Sequence, residues 1–171
     1  LFGSNTDSVN GLIIRLNNYR NIEITSCNGD GDFNTVITFD GYIIDSDNWY
    51  YIVVIHSHSN NKTTLFVNGE NQGTKTDNNT YLAINTIGGY FLDIDHSTVF
   101  SGNIACIRIS NTSSIYNKSS DVISVPTQPT SYNESTTIFL MQTYLQNSFA
   151  VLPYGIQIQQ NNITFDISTP F

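Results

Sequence analysis

Cationic side chains are the scarcest feature of this chain. Six Lys and Arg stand against 14 Asp and Glu in 171 residues, for a net charge of −8 and a pI near 4.4. The six are scattered along the sequence, whereas binding a polyanion needs clustered cations that displace counterions. Nucleic acid and anionic membrane are therefore not expected partners. Charge of either sign is sparse, at 12% of residues, about half the usual ~25%. No apolar run approaches the roughly 18 residues that a helix needs to cross a bilayer, so membrane insertion is not expected. Cysteine is limited to Cys27 and Cys106. A bridge between them would close a long loop and contribute roughly 4 kcal/mol. Each falls in or beside an expected strand, where small buried thiols are common, and free thiols are the expectation.

Amides and hydroxyls fill the space left by charge. The chain carries 22 Asn, and about a fifth of it is Ser or Thr. Such a surface hydrogen-bonds neutral polar ligands such as sugars, although an Asn-rich genome yields the same composition. Asn61, Asn78, Asn111, Asn117, Asn133 and Asn162 each open an N-x-S/T triplet. Chance at this composition gives about five such sites, so the motif says little about secretion. The chain opens on Leu1 rather than Met, which suggests a piece excised or processed from a longer protein.

The dominant hydrophobic period is two. "GLIIRL" (11–16), "NIEITS" (21–26) and "NTVITF" (34–39) read as strands between "NNYR" and "CNGDGD", with β-branched interiors and Asn/Gly/Asp punctuation. "WYYIVVIH" (49–56) is apolar on both alternating faces, which predicts a central strand covered on both sides. "TTLFV" (63–67) runs into Asn68-Gly69, a hairpin turn whose two positions need φ > 0. "YLAINTI" (81–87) and "NIACIRIS" (103–110) are further strands. Residues 111–136 turn polar, and Pro126 and Pro129 argue against a continuous helix there. That stretch reads as a wrapping segment. "TIFLMQTYLQ" (137–146) fits a strand or a short helix, and "GIQIQQ" with "ITFDIS" reads as a closing hairpin. A dozen or so short strands in a single all-β domain over 1–171, with its core in 11–110 and closing strands in 137–168, argue for two packed antiparallel sheets or a closed barrel.

Several clusters carry polar chemistry. His56 and His58 are two apart, so in an extended strand both point the same way, roughly 6–7 Å apart. With a third ligand from "DIDH" (93–96) they would form an open metal site. His58, however, lies among Ser57, Ser59, Asn60 and Asn61, and the pair reads as the polar exit of a strand. In "CNGDGDFN" Asn28, Asp30, Asp32 and Asn34 alternate as oxygen ligands do at the start of a calcium loop. Phe33 replaces the turn glycine and no closing Glu follows, so a hydrophilic turn is favoured over a calcium site. "GGYFLDIDHS" (88–97) sets Tyr90 and Phe91 beside Asp93, Asp95 and His96. Sugars need that mixture of flat apolar faces and directional polar groups. An ordinary strand with Tyr90 and Leu92 on one face fits equally well.

From Trp49 to about Tyr116 the residues form a recognisable series. Trp49 opens a strand, Phe66-Val67-Asn68-Gly69 make a hairpin turn, and Ile87-Gly88 end a strand. Phe100-Ser101-Gly102-Asn103-Ile104 then lead into Arg108-Ile109, and "SIYN" (114–117) leaves it. This series resembles the concanavalin A-like lectin superfamily, especially its laminin-G-like and pentraxin-like branches, over roughly two-fifths of the chain. The resemblance implies an antiparallel two-sheet jelly-roll sandwich that binds glycans or protein partners through rim loops or the concave sheet. Calcium loops are common among its lectins, which keeps Asn28, Asp30 and Asp32 in view as ligands. Galectin-like heads of viral attachment proteins, including rotavirus-type spikes, use a related architecture. Glucanases of the superfamily carry closely spaced Glu and Asp on one strand. Here Glu23, Glu70 and Glu134 lie far apart, and Asp93 and Asp95 could form a carboxylate pair but lack the expected Glu. The expectation is a non-catalytic attachment domain for a glycan or host receptor, with Tyr90, Phe91, Asp93, Asp95, His96, Asn28, Asp30 and Asp32 as ligand contacts. A viral spike head, on the virion surface or otherwise extracellular, is the preferred setting, with oligomeric state set by the parent protein. A protein-binding adhesion module of a secreted protein and an atypical glycosidase are the alternatives.

Overall fold

The computed structural model describes residues 2–3, 11–27, 33–78, 86–87, 89–91, 97–99, 102, 104, 106–110, 116–127, 136–142 and 148–151. Among them every regular element is a strand apart from one 3₁₀ turn, His58–Asn60. The strands are β1 (Phe2–Gly3), β2 (Gly11–Leu16), β3 (Ile22–Cys27), β4 (Phe33–Phe39), β5 (Ile52–Ser57), β6 (Lys62–Val67) and β7 (Glu70–Thr76). They continue with β8 (Thr86–Ile87), β9 (Gly89–Phe91), β10 (Ser97–Val99), β11 (Ile107–Ser110), β12 (Thr136–Gln142) and β13 (Ser148–Val151). All named pairings are antiparallel. The chain falls into two compact units, Leu1–Ser101 with Lys118–Ile123, and Gly102–Asn117 with Ser124–Phe171.

The first unit is built from a five-stranded sheet, in the order β4-β3-β2-β1-β8, and a three-stranded sheet, β5-β6-β7, with the β9–β10 hairpin beside them in the sequence. The period-two pattern explains how the two larger sheets meet. Ile14, Ile22, Ile24, Ile37 and Phe39 share one face of the first sheet, and Leu65 and Val67 share one face of the second. These seven residues form one buried cluster, with Leu16, Tyr42, Ile44, Tyr50, Ile52 and Val54 packed around it. Each fully buried Leu or Phe contributes about 1.5–3 kcal/mol, so the cluster is what holds the layers face to face. This is the antiparallel two-sheet sandwich that the resemblance implied, not the closed barrel that the strand pattern also allowed.

The central strand of the smaller sheet is β6, not the Trp49 strand. Residues 63–67 of β6 are all buried, whereas β5 lies at the margin of that sheet among the described strands. The first three residues of "WYYIVVIH" do not join the ladder. Pairing starts at Ile52↔Val67, because the Tyr51 N–H donates instead to Asn68 Oδ1 at 2.9 Å. The Asn68-Gly69 turn forms as expected, with φ of 51° and 88°. The outer face of β6 is also covered, since Phe66 is 0% exposed. From the polar stretch after residue 111, Lys118–Ile123 lies along β7. Val122 bridges Glu70, and Ile123 N–H donates to Gly69 O at 2.8 Å.

In the second unit β12 is central to a sheet in the order β11-β12-β13, which resolves the ambiguous 137–146 stretch as strand. The strand expected over 103–110 is shorter, Ile107–Ser110. Cys106 has φ of 54°, and a residue in the left-handed region cannot extend a pleated ladder. Its thiol is free, and burial pushes its pKa above the ordinary thiol value, because desolvation disfavours the thiolate. "GIQIQQ", "ITFDIS" and residues 81–85 lie outside the described residues.

Leu65, 0% exposed, tests the shared core. Leu65→Ala is expected to cost about 2–5 kcal/mol in denaturant unfolding, and Val122→Ala, at a position 67% exposed, less than about 0.5 kcal/mol.

Candidate functional site

One end of the first unit gathers three connections: the β2–β3 turn (17–21), the β4–β5 crossing (40–51) and the Asn68-Gly69 turn. Polar anchors fix all three. Asn17 Oδ1 accepts from the N–H groups of Tyr19 and Asn21 at 2.9 and 3.0 Å, and Arg20 takes φ of 64°. The turn is tied to its sheet by the buried Glu23 carboxylate, which accepts from Arg15 Nε at 3.0 Å, Asn17 Nδ2 at 2.8 Å and Thr38 Oγ1 at 3.4 Å. A buried carboxylate persists only when donors surround it, so the turn and three strands are fixed together. The crossing docks on the turn through Ile44 N–H to Arg20 O at 3.0 Å and Asn21 Nδ2 to Tyr42 O at 3.3 Å. An exposed ion pair, Arg20 Nη1 to Asp45 Oδ1 at 3.0 Å, lies over them. Tyr42 and Tyr50 pack edge to face with centroids 6.2 Å apart, and Tyr50 Oη accepts from Asp45 N–H at 3.0 Å. Asn68 closes the rim by exchanging two hydrogen bonds with the Tyr51 backbone.

What these anchors leave outside is distinctive. Tyr19 is 79% exposed, Ile43 52% and Trp49 37%. Asp45, Ser46, Asp47 and Asn48 are exposed between them, and Asp47 takes φ of 66°. Flat apolar faces and short polar groups thus project from one braced rim. That mixture, expected at 88–97, occurs here on "NNYR" and "IIDSDNWY". From sequence, "NNYR" reads as punctuation between strands and Trp49 as the opening of one. A signal was present, in that each segment sets an aromatic residue among Asn, Asp and Ser between two strands.

The opposite end carries the histidine pair. The structure separates its members, because His56, next to last in β5, is partly buried while His58 opens the exposed 3₁₀ turn. His56 Nδ1 lies 2.9 Å from Thr63 Oγ1 and 3.4 Å from Asp77 Oδ2, and Thr63 Oγ1 donates to Asp77 Oδ2 at 2.6 Å. The Thr63 hydroxyl has one proton, and the carboxylate takes it. The contact with His56 must then run from Nδ1–H to Thr63 Oγ1, which places the imidazole proton on Nδ1. Asp77 N–H also donates to Asn61 O at 2.7 Å, so the network closes the β5–β6 hairpin onto the end of β7. Nearby, Lys118 Nζ donates to Ser57 Oγ at 2.5 Å. With its amide oriented to suit its neighbours, Asn60 donates to Ser57 Oγ at 2.9 Å and accepts from Lys118 Nζ at 3.0 Å. Among the described residues no group of three metal-ligating side chains converges. The His56–Thr63–Asp77 link was hidden in the sequence because Thr63 has no pattern that marks it as a bridge.

The ligand contacts expected from sequence fare differently. Asn28, Asp30, Asp32, Asp93, Asp95 and His96 lie outside the described residues. The backbone of Tyr90 and Phe91 belongs to β9, paired as Thr98↔Tyr90 and Ser97↔Phe91.

Thr63→Val keeps the shape of this residue and removes the shared hydroxyl from a buried carboxylate. A loss of about 1–3 kcal/mol, with an unchanged denaturant slope, is expected in equilibrium unfolding; an unaltered midpoint would refute the network's role. The geometry of the first unit can now be set beside known proteins. No curated protein and no solved structure matches the chain. The profile of the Laminin_G_3 family, described as concanavalin A-like lectin/glucanases superfamily, matches residues 1–114. The chain therefore belongs to the laminin-G-type branch of the concanavalin A-like lectin/glucanase superfamily.

Proposed function

We propose that this domain is a non-catalytic attachment module whose rim, at Tyr19, Ile43, Asp45–Asn48 and Trp49, binds a neutral glycan on a cell surface. The carrying observation is the 79% exposure of Tyr19 and the 37% exposure of Trp49, on loops at one end of the first unit that hydrogen bonds brace. An aromatic ring left in water gains from stacking on the apolar face of a sugar ring, while neighbouring amides, hydroxyls and carboxylates take its hydroxyls. Pre-braced loops lose little entropy on binding. The sign of the rim narrows the ligand. Asp40, Asp45, Asp47, Glu70 and Asp121 are exposed around it and Arg20 is paired with Asp45, which favours neutral over acidic sugars. Membership of the superfamily supports a binding role, and its name spans both lectins and glucanases.

A protein ligand is the second reading. Ile43 at 52% exposure and Val122 at 67% add exposed apolar surface to the first unit, which suits a protein-binding adhesion module. The glycosidase alternative rests on Asp93 and Asp95, outside the described residues. In the proposed role the domain works outside the cell, on a virion or on a cell. The viral-spike setting draws no support from the family match.

Titration of the purified domain with neutral oligosaccharides selected on a glycan array checks the proposal. Dissociation constants near the millimolar range, about −4 kcal/mol, are expected. Tyr19→Ala and Trp49→Ala should each weaken binding about tenfold with the unfolding midpoint unchanged. Undiminished binding by the double variant would move the site elsewhere. A blank array with retained cell attachment would select the protein ligand.

A further inference from the structure

The six cations looked scattered, yet the fold brings all three lysines to one end of the smaller sheet. Lys62 begins β6 and pairs with Ser57 on one side and Thr76 on the other. Lys75 pairs with Thr63, next along the ladder. Lys118 reaches Ser57 across the sheet. Lys62 and Lys75 are exposed, as is His58 in the adjoining turn. Among the described residues no carboxylate forms an ion pair with Lys62, Lys75 or Lys118. The ammonium of Lys118 is held instead by neutral oxygens of Ser57 and Asn60. β6 runs from this end to the rim, where Asp40, Asp45, Asp47, Glu70 and Asp121 are exposed. The described part of the first unit is thus polarised along its strands, basic at the β5–β6 turn and acidic at the rim.

We infer that the lysine end is an interaction surface for the acidic rim of a second copy of this chain. Charge complementarity selects that occupant: among the described residues Asp40, Asp45, Asp47, Glu70 and Asp121 are exposed at the rim, the opposite end from Lys62, Lys75 and Lys118. A contact between two different patches of identical copies is heterologous, and unless its rotation closes a ring it propagates. The result is a head-to-tail row of domains. Exposed ion pairs are individually worth about 0–1 kcal/mol, so the association is weak, steered by long-range charge and erased by salt. It occupies the same rim as the proposed glycan, so a free rim remains at one end of each row. The self-association does not depend on the identity of that ligand.

Sedimentation of the full chain at low ionic strength is expected to show an average mass that rises with concentration and falls to that of the monomer in about 1 M salt, where the Debye length is about 3 Å. Lys62→Glu with Lys75→Glu should weaken association at least tenfold, as should Asp45→Lys with Glu70→Lys. An equimolar mixture of the two double variants should regain it, because each reversed end then meets its complement. A chain that stays monomeric at low salt up to about millimolar concentration, or a mixture that does not recover association, would overturn the inference. So would inorganic phosphate bound at the lysine end of a chain that never self-associates, which would make that end a small-anion site.

Discussion

The packing of Leu65 and Val67 against Ile22, Ile24 and Phe39 is the constraint on which the rest of the first unit depends. These side chains come from two sheets and share one interior. Their burial fixes which face of every strand points inward, since a one-residue slip would turn each apolar set to solvent. It also fixes where the strands end. Leu16, Ile22, Phe39, Ile52 and Val67 end or begin their strands at one level, and the connections leaving that level become the rim.

Burial alone does not shape a loop, and polar side chains complete the arrangement. Glu23, with donors from β2, β4 and the intervening turn, connects the rim to the larger sheet. Asn68 connects it to the smaller one. At the other end the relay from His56 through Thr63 to Asp77 does the same for the β5–β6 hairpin. The Asn-rich composition is thus partly structural, because Asn17, Asn21 and Asn68 spend their amides on backbone groups that the turns leave unpaired. The functional consequence is a preorganised rim. Its aromatic faces need not be assembled when a ligand arrives.

Sequence reading reached the sandwich because its signals are local. Alternation in "GLIIRL" and "NTVITF" sets face and strand together, and Asn68-Gly69 specifies a turn by φ alone. It was less reliable where a tertiary partner decides. "WYYIVVIH" looks central, but Asn68 takes the Tyr51 N–H and delays the ladder, leaving the middle position to β6. Cys106 has no local feature that announces a left-handed backbone. The rim was missed because its residues come from turns far apart in sequence, and the clustering of Lys62, Lys75 and Lys118 was missed for the same reason. Periodicity says which way a side chain points; only pairing register says which distant side chain it meets.

The central claim is that two sheets share one core and unfold as one. Native-state amide exchange resolves this residue by residue. The account predicts that amides in β3 around Ile24 and in β6 around Leu65 exchange slowest and with the same opening free energy, equal to that of global unfolding. If one of those sheets opened well before the other, the shared interior would not be what holds the first unit together, and the rim it supports would lose its foundation.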